Sequence, residues 1–487
     1  MSPRRSWSAA ALGLCLLAVP RVALAAPSQE KIPITTSFEE ARQLYLQGRD
    51  ANEKLRTVEA YALFEKAAAK DPSFALAYCG MANSANSNPE FFVALRKAVA
   101  LSDKVSVGER LMIEGLNAGV KGDIDAQRKK WTELVETYPN DERALTLLGN
   151  FYFGNQDYPT AIKYLTKATE IAPNFTTPYN QLGYAYRFQG KYPEAEKTFQ
   201  KYIELLPGDP NPYDSYGELL MKMGRFDDSI ASYHKALKVD PHFTASMVGI
   251  ANDQMFQGKG DGARKTLRKL LEVARNDGER RIALFWIAQS YVLEGKTQDA
   301  VRTVAEQRAI AQKSSDFAAQ SGDAMRLGTI LLHAEQLDGA AASFAESITL
   351  MNKASVPAEV KEANRRNNLF DTARVALKRG DLATAQAQAQ DYQKQVEVRR
   401  IPFEVWQVHE LLGMIALAQH QYDAALAELA QASNQNPRVL YLTAVVLQGQ
   451  GDGQRARAAA QAVAEFNGLN ASYVFVRPEA QKMVTGS

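Results

Sequence analysis

The sequence predicts an all-α fold, a right-handed superhelical solenoid of about ten helix pairs. The prediction rests on three consecutive blocks, residues 142–175, 176–209 and 210–243, which align with one another at a spacing of about 34 residues. In that alignment, small residues, aromatic residues and prolines each occupy columns of their own. The columns hold Gly149, Gly183 and Gly217; Ala161, Ala195 and Ser229; Tyr158, Tyr192 and Phe226; and Pro173, Pro207 and Pro241. Columns that stay in phase over three blocks indicate a repeated unit rather than an irregular bundle.

Each column has a physical reason within its block. Leu145, Leu148 and Tyr152 recur at helical spacing and predict an apolar stripe on the first helix. Gly149 lies inside that stripe, although glycine costs roughly 1 kcal/mol in a helix interior, so glycines at one phase indicate that two helices pack closely. Pro173 ends the second helix because proline lacks the backbone donor and disfavours helix in the residue before it.

The period and these columns resemble the tetratricopeptide repeat. The resemblance extends, with weaker columns, over most of the chain: residues 41–277 form an N-terminal array and residues 281–470 a more degenerate C-terminal array. It implies that the first helix of each pair lines a concave surface, where protein or peptide partners usually bind. The cationic residues with which one subgroup of the family binds free carboxyl termini are missing here, so that ligand class is not implied.

The chain begins with a stretch that resembles a secretory signal peptide. Arg4 and Arg5 precede an apolar run at residues 8–19, and Ala23 to Ala25 offer small residues to a signal peptidase. We therefore expect residues 1–25 to be removed and the protein to be periplasmic or secreted. The alternative is an uncleaved leader that anchors the protein to the inner membrane.

The remaining segments flank the two arrays. Residues 26–40 are expected to be a linker and the start of the first helix, which the run from Thr36 to Glu40 would open with a capping pattern. Residues 471–487 form a C-terminal tail, and its apolar run from Tyr473 to Val476 is expected to fold back over the last helix of the array.

Composition excludes several classes of function. The chain has 57 basic and 55 acidic residues, and loss of residues 1–25 changes its formal net charge from +2 to −1. No basic stripe indicates nucleic-acid binding, and no basic amphipathic helix indicates membrane-surface binding. Cys79 is the single cysteine outside the leader, so a disulfide framework is excluded.

The motifs for chemistry are weak. His409 and Glu410 begin like a zinc-protease motif, but Gly413 stands where the second histidine would be needed. Glycine-rich runs at residues 258–262 and 449–453 fall between predicted helices and follow no predicted strand, so they do not indicate phosphate loops. Cys79 is expected to be a packing residue. The sequence therefore predicts no catalytic site, no metal and no cofactor.

Recognition of another protein is the function that remains. The positions of the first helices that lie off the apolar stripe define a predicted groove, and asparagine, tyrosine and arginine are side chains well suited to binding a peptide. The predicted groove residues are Asn150, Phe153, Asn180, Tyr184, Arg187, Asp214, Glu218 and Asn252. We therefore expect a non-catalytic scaffold of the bacterial cell envelope. The alternative is a periplasmic solute-binding protein or enzyme with a site between the two arrays, near residues 276–281.

Overall fold

The computed structural model describes residues 31–54, 56–85, 88–399 and 401–486. The predicted leader, residues 1–25, lies outside these ranges. Within them the chain forms 25 α-helices, two short 3₁₀ helices and no β-strand. The all-α prediction is confirmed.

The α-helices and their bounds, in chain order, are α1 (Glu39–Glu53), α2 (Thr57–Lys70), α3 (Ala75–Asn83), α4 (Asn88–Leu101), α5 (Val107–Val120), α6 (Ile124–Thr137), α7 (Glu142–Gly154), α8 (Tyr158–Ile171), α9 (Thr177–Phe188), α10 (Tyr192–Leu205), α11 (Pro210–Lys222), α12 (Phe226–Val239), α13 (Thr244–Phe256), α14 (Gly260–Val273), α15 (Asp277–Leu293), α16 (Thr297–Lys313), α17 (Phe317–His333), α18 (Leu337–Lys353), α19 (Ala358–Lys378), α20 (Leu382–Arg399), α21 (Pro402–Ala418), α22 (Tyr422–Leu429), α23 (Pro437–Gly449), α24 (Gly453–Ala464) and α25 (Arg477–Thr485). The 3₁₀ helices are Ser102–Lys104 and Ala471–Phe475.

Helices α1 to α24 stack as consecutive helix hairpins, each packed on the next. The first helices also contact one another across the hairpins: α7 contacts α9, α9 contacts α11, and α11 contacts α13. They therefore line the inner, concave side of a superhelix. The described part contains twelve such hairpins, against about ten predicted.

The turns inside the hairpins repeat one backbone conformation. Gly190, Gly224 and Gly258 have φ angles of +69°, +73° and +74°, and Gln156 takes the same place in the preceding hairpin with φ of +58°. Glycine is favoured there because a side chain disfavours the left-handed region. The helix–turn–helix unit of the aligned blocks is thus built as predicted.

Helix length changes at the predicted joint near residues 276–281. Helices α13 and α14 have 13 and 14 residues, whereas α15 and α16 have 17 each. The stack continues across this point, because α14 packs on α15. The division into two arrays remains a prediction.

The start of the fold differs from the prediction. Helix α1 begins at Glu39 and no side chain caps it, whereas the Thr36 hydroxyl donates to the Asp71 carboxylate at 2.6 Å. The hydroxyl is therefore used in a contact between segments rather than as a helix cap. In the described part of the linker, the backbone nitrogen of Ile32 donates to Asp141 and that of Thr35 to Glu109, so this segment is held in place.

The end of the chain packs in two directions. Helix α25 packs on α24, where Val463, Val476 and Ala480 are buried. Of the run from Tyr473 to Val476, which was predicted to fold back over the last helix of the array, only Val476 joins this contact. Tyr473 and Val474 instead lie on the concave side, where the 3₁₀ helix Ala471–Phe475 contacts α15 and α23. In the described part of the chain, no helix combines the length and the apolar character that crossing a membrane requires.

Candidate functional site

The predicted groove residues lie on four neighbouring first helices. Helix α7 carries Asn150 and Phe153, α9 carries Asn180, Tyr184 and Arg187, α11 carries Asp214 and Glu218, and α13 carries Asn252. Several of them bond to the next first helix rather than to solvent. The Ser215 hydroxyl donates to Asn180 at 3.1 Å, for example, and the Ser246 hydroxyl donates to Asp214 at 2.7 Å.

Arg187 is the centre of the groove on α9. Its guanidinium lies 4.9 Å from the ring centroid of Tyr184 and 4.8 Å from that of Phe188. A nitrogen of the same group lies 3.1 Å from a carboxylate oxygen of Glu218, and the Arg187 side chain is only 11% exposed. Stacking and the ion pair together hold the guanidinium in one orientation, so its free N–H groups are preorganised.

Asp214 and Glu218 are less available than the sequence suggested. Asp214 is buried, and burial together with the neighbouring Glu218 charge raises its pKa to about 7. Glu218 is neutralised by Arg187. The expected acidic end of the groove, which argued for a partner with a basic end, is therefore weak.

Near α7 the groove is partly open. Asn150 and Phe153 are partly exposed, and the Phe153 ring packs against Tyr158 and Phe188 at 5.6 and 5.9 Å between centroids. The side-chain oxygen of Asn150 is itself buried and has no hydrogen-bond partner among the described residues. The open part of the groove near α7 is therefore mainly aromatic.

Asn252 does not line an open groove. It is fully buried, and its side-chain oxygen accepts a hydrogen bond of 3.1 Å from the hydroxyl of Tyr473. The Tyr473 ring also packs on Phe256, with 4.8 Å between centroids. The sequence could not show this contact, because 221 residues separate the hydrogen-bonded pair.

Residues 465–486, here called the C-terminal segment, occupy the concave side at α11 to α15. Lys222 lies 4.5 Å from the Phe466 ring centroid, and the guanidinium of Arg477 lies 4.7 Å from that of Phe256. Leu469 packs against the buried cluster of Met221, Tyr233 and Ile250. Lys222, Phe256 and Tyr473 were missing from the predicted groove, and the only sequence signal was the apolar run from Tyr473 to Val476.

The groups that could serve chemistry are held in structural contacts. Burial raises the pKa of the Cys79 thiol to about 12, and His409 lies 2.7 Å from a carboxylate oxygen of Glu428. Arg281, near the predicted site between the arrays, binds both carboxylate oxygens of Asp323. The described residues contain no group of three or more histidine, cysteine, aspartate or glutamate side chains that could hold a metal ion.

Comparison with family models identifies three segments of the chain as tetratricopeptide repeats. They are residues 140–207, 220–284 and 410–471. They include α7 to α10, α12 and α13, whereas most of α11, with the predicted groove residues Asp214 and Glu218, lies between the first two segments. No curated protein matches the chain.

Three solved structures illustrate the similarity of the repeats. A MamA protein is 25% identical over 34% of this chain and 91% of its own, with a TM-score of 0.30. A tetratricopeptide repeat protein from Parabacteroides merdae ATCC 43184 is 17% identical over 54% of this chain and 99% of its own, with a TM-score of 0.38. YrrB, described as having an unusual peptide-binding site, is 17% identical over 37% of this chain and 91% of its own, with a TM-score of 0.27.

Proposed function

Because the chain is a tetratricopeptide-repeat protein, we propose that it is a non-catalytic interaction scaffold whose concave face holds a segment of a partner protein. The repeats support protein binding in general. The position of the partner, its chemistry and the cellular location are the finer points of the proposal.

The observation that carries the proposal is the polypeptide that this face already holds. Tyr473 is buried there against the side chain of Asn252 and the ring of Phe256. The groove presents the same kinds of side chain on α7 and α9. Asparagine can bond to polar groups of an extended chain, and aromatic rings can anchor an apolar side chain. A partner segment of similar chemistry therefore suits the same face.

The part of the face left for a partner runs from α7 to α11. Phe153, Tyr184 and the Arg187–Glu218 pair are partly exposed there, and tyrosine and arginine are enriched among residues that dominate binding energy. We therefore propose an extended or helical segment with an aromatic or aliphatic anchor near Tyr184. No strong requirement for a basic end follows, because Arg187 neutralises Glu218.

The proposed location is the bacterial cell envelope, with residues 1–25 removed on export. The leader pattern of the sequence is its support. Cell fractionation followed by N-terminal sequencing tests it: we expect a periplasmic or secreted chain that begins near residue 26. Full-length protein in the cytosol would contradict export, and full-length protein in the inner membrane would select the uncleaved anchor.

Photo-crosslinking in intact cells tests the binding face. A photoreactive phenylalanine analogue would replace Tyr184 in the groove or, as the control, Val58, which is 70% exposed on the second helix α2. We expect a discrete protein adduct from position 184 that weakens when Arg187 is changed to alanine. Discrete adducts from position 58 and none from position 184 would overturn the proposal and move the interface to the second helices.

A further inference from the structure

A cavity lies inside the C-terminal half of the superhelix, away from the predicted groove. It has a volume of about 650 Å³ and is bounded by the first helices α17, α19, α21 and α23. The C-terminal segment borders it through Ser472, Phe475, Val476 and Glu479. Volumes of this order are typical of small-molecule sites rather than of packing defects.

Most of the cavity wall is apolar. The apolar lining residues are Leu332, Leu377, Met414, Leu417, Ala418, Leu442, Phe475 and Val476. They come from four helices and the C-terminal segment, so several sides of the cavity are apolar. Such a lining accommodates a hydrocarbon or aromatic body.

Two arginines supply the strongest polar groups of the lining. Arg374 and Arg438 both line the cavity, and their guanidinium groups lie 5.6 and 5.5 Å from the ring centroid of Phe370. They thus share one aromatic ring. The two positive charges are also close to each other. Burial, and to a lesser degree the charge of Arg438, lowers the pKa of Arg374 to about 10.

Among the residues that the structure describes, each arginine is anchored to a carboxylate by one of its nitrogens. Arg374 Nη1 lies 3.2 Å from Asp371 Oδ1, and Arg438 pairs through Nε with Glu410. Both carboxylates are buried and lie outside the lining. A guanidinium has five N–H donors, so each group keeps donors for a ligand in the cavity.

The acidic residues of the lining are engaged elsewhere. Glu335 forms an ion pair with Lys378 at 3.1 Å, and Glu479 forms one with Lys482 at 2.9 Å. Burial lowers the pKa of His333, which favours its neutral form at pH 7, and raises the pKa of Tyr441, which keeps its phenol protonated. The charged hydrogen-bond donors of the lining that remain are therefore those of Arg374 and Arg438.

We propose that this cavity binds a small amphiphilic anion, whose carboxylate or phosphate head bonds to Arg374 and Arg438 and whose apolar body lies against the leucine-rich wall. Guanidinium groups bind both head groups through paired, charge-assisted hydrogen bonds. The proposal stands independently of a partner in the groove of α7 to α11, because none of the predicted groove residues lines the cavity.

Titration of the full chain with ligands that share one tail tests the head group. Decanoate and decyl phosphate would be compared by calorimetry with decanol and decylammonium, all below their micelle concentrations. We expect saturable binding at one site, at least about tenfold tighter for an anion than for decanol, which corresponds to a single strong polar contact. The tighter of the two anions identifies the head group. Equal affinity for decanol and both anions, tight binding of decylammonium, or no binding of either anion would overturn the proposal.

Paired substitutions test the residues without leaving a buried charge alone. Asp371→Asn combined with Arg374→Gln replaces the ion pair between a lining arginine and the carboxylate behind it by neutral side chains. The matched control changes Arg366→Gln and Glu404→Gln, a buried ion pair outside the lining. We expect the first pair to weaken anion binding about tenfold with little effect on decanol, and the control to change neither. Equal effects of the two pairs on anion binding would contradict the assigned head-group site.

A bulk substitution tests the position of the tail and spares both arginines. Met414→Trp would place a larger side chain in the cavity, whereas Ala427→Trp introduces the same side chain at an exposed position of α22. We expect the first change to weaken binding of decanoate and decanol alike, and the second to leave it unchanged. If decanoate binds the folded Met414→Trp variant as well as the unchanged chain, the tail does not lie in this cavity.

Discussion

At the scale of single residues, the glycines of the first helices determine how closely each hairpin packs. A Cβ atom on Gly149 would lie 2.7 Å from Leu165 Cγ, and one on Gly183 would lie 2.6 Å from the Phe199 ring. Gly217 meets Tyr233 in the same way, at 2.8 Å. In each case the bulky residue lies on the second helix of the hairpin, the same number of residues after the glycine. Gly and its bulky partner therefore form one packing unit, repeated from hairpin to hairpin.

The first prediction compares two glycines of the same helix, α7. Gly149→Ala should destabilise the protein by about 1–3 kcal/mol, because the added methyl group overlaps Leu165 in a packed core. Gly154→Ala should be neutral or stabilise by up to about 1 kcal/mol, because no atom lies within 4 Å of its Cβ position and alanine favours helix. Urea denaturation of both variants measures the difference. Equal destabilisation would contradict the packing unit.

Asp253 is a residue whose environment opposes its charge. It is fully buried, and the nearby Ser229 hydroxyl donates to the Gly217 carbonyl at 2.8 Å, which leaves the Asp253 oxygens without a hydrogen-bond partner among the described residues. Burial, and to a lesser degree the charge of Asp227, raises the pKa of Asp253 to about 8. The folded state therefore holds this proton far more tightly than the unfolded state does.

The second prediction follows from that difference. A raised pKa contributes stability that is fully present below about pH 4, the value of a free aspartate, and is lost as the pH rises toward 8. Asp253→Asn should therefore flatten the fall in stability between pH 5 and 8.5 and stabilise the protein at the alkaline end by about 1–3 kcal/mol. Denaturation midpoints across this range measure it. Asp125→Asn, at an exposed position on α6, is the control and should follow the unchanged chain.

At the scale of elements, the extended segment before α1 joins the first hairpins. Glu109 accepts hydrogen bonds from the backbone nitrogens of Ser106 and Thr35 and from the Thr35 hydroxyl. With Ser106 it forms a capping box at the start of α5, and it is fully buried. One side chain thus caps a helix and fixes a segment 74 residues earlier in the chain.

The third prediction concerns this double role. Glu109→Ala should cost about 1–3 kcal/mol, because it removes a helix cap and leaves the Thr35 amide without its acceptor. Amide hydrogen exchange should also become faster at Thr35. Glu136→Ala, at an exposed position on α6, should change neither. Unchanged exchange at Thr35 in the Glu109 variant would show that other contacts hold the segment.

The elements that the sequence predicted are those that depend on neighbours along the chain. Glycine, alanine and proline columns report packing within a hairpin and between successive hairpins, so the helix pairs were predictable from periodicity. The held position of Thr35 and the insertion of Tyr473 were not, since each depends on residues far away in the sequence. Periodicity carries no information on which distant surfaces meet.

The predicted groove shows the same division. Its eight residues were found on four neighbouring first helices, because their phase relative to the apolar stripe is a local property. Burial of Asp214 and closure over Asn252 were not predictable, because Ser246 and Tyr473 reach them from other hairpins. The partner-binding role of the eight residues remains a prediction.

At the scale of the whole molecule, the superhelix turns far enough for its two halves to meet. The side chain of Gln156, between α7 and α8, lies 3.3 Å from the Ser433 hydroxyl, 277 residues further on. The C-terminal segment makes the larger connection, since it packs on α13, α15 and α23. A repeat array is commonly stabilised by contacts between neighbours alone. These additional contacts should couple the middle hairpins to the end of the chain.

The central claim is that the concave face binds polypeptide, and a peptide with the sequence of residues 466–481 tests it most directly. The labelled peptide would be titrated against the unchanged chain and against a full-length Tyr473→Ala, Arg477→Ala variant, whose own segment is held less tightly. We expect the variant to bind it saturably and about tenfold more tightly than the unchanged chain, whose face is occupied. Adding Phe256→Ala to the variant should abolish binding, whereas Phe188→Ala, away from the segment, should not. Binding that survives Phe256→Ala, or that a scrambled peptide reproduces, would contradict the claim.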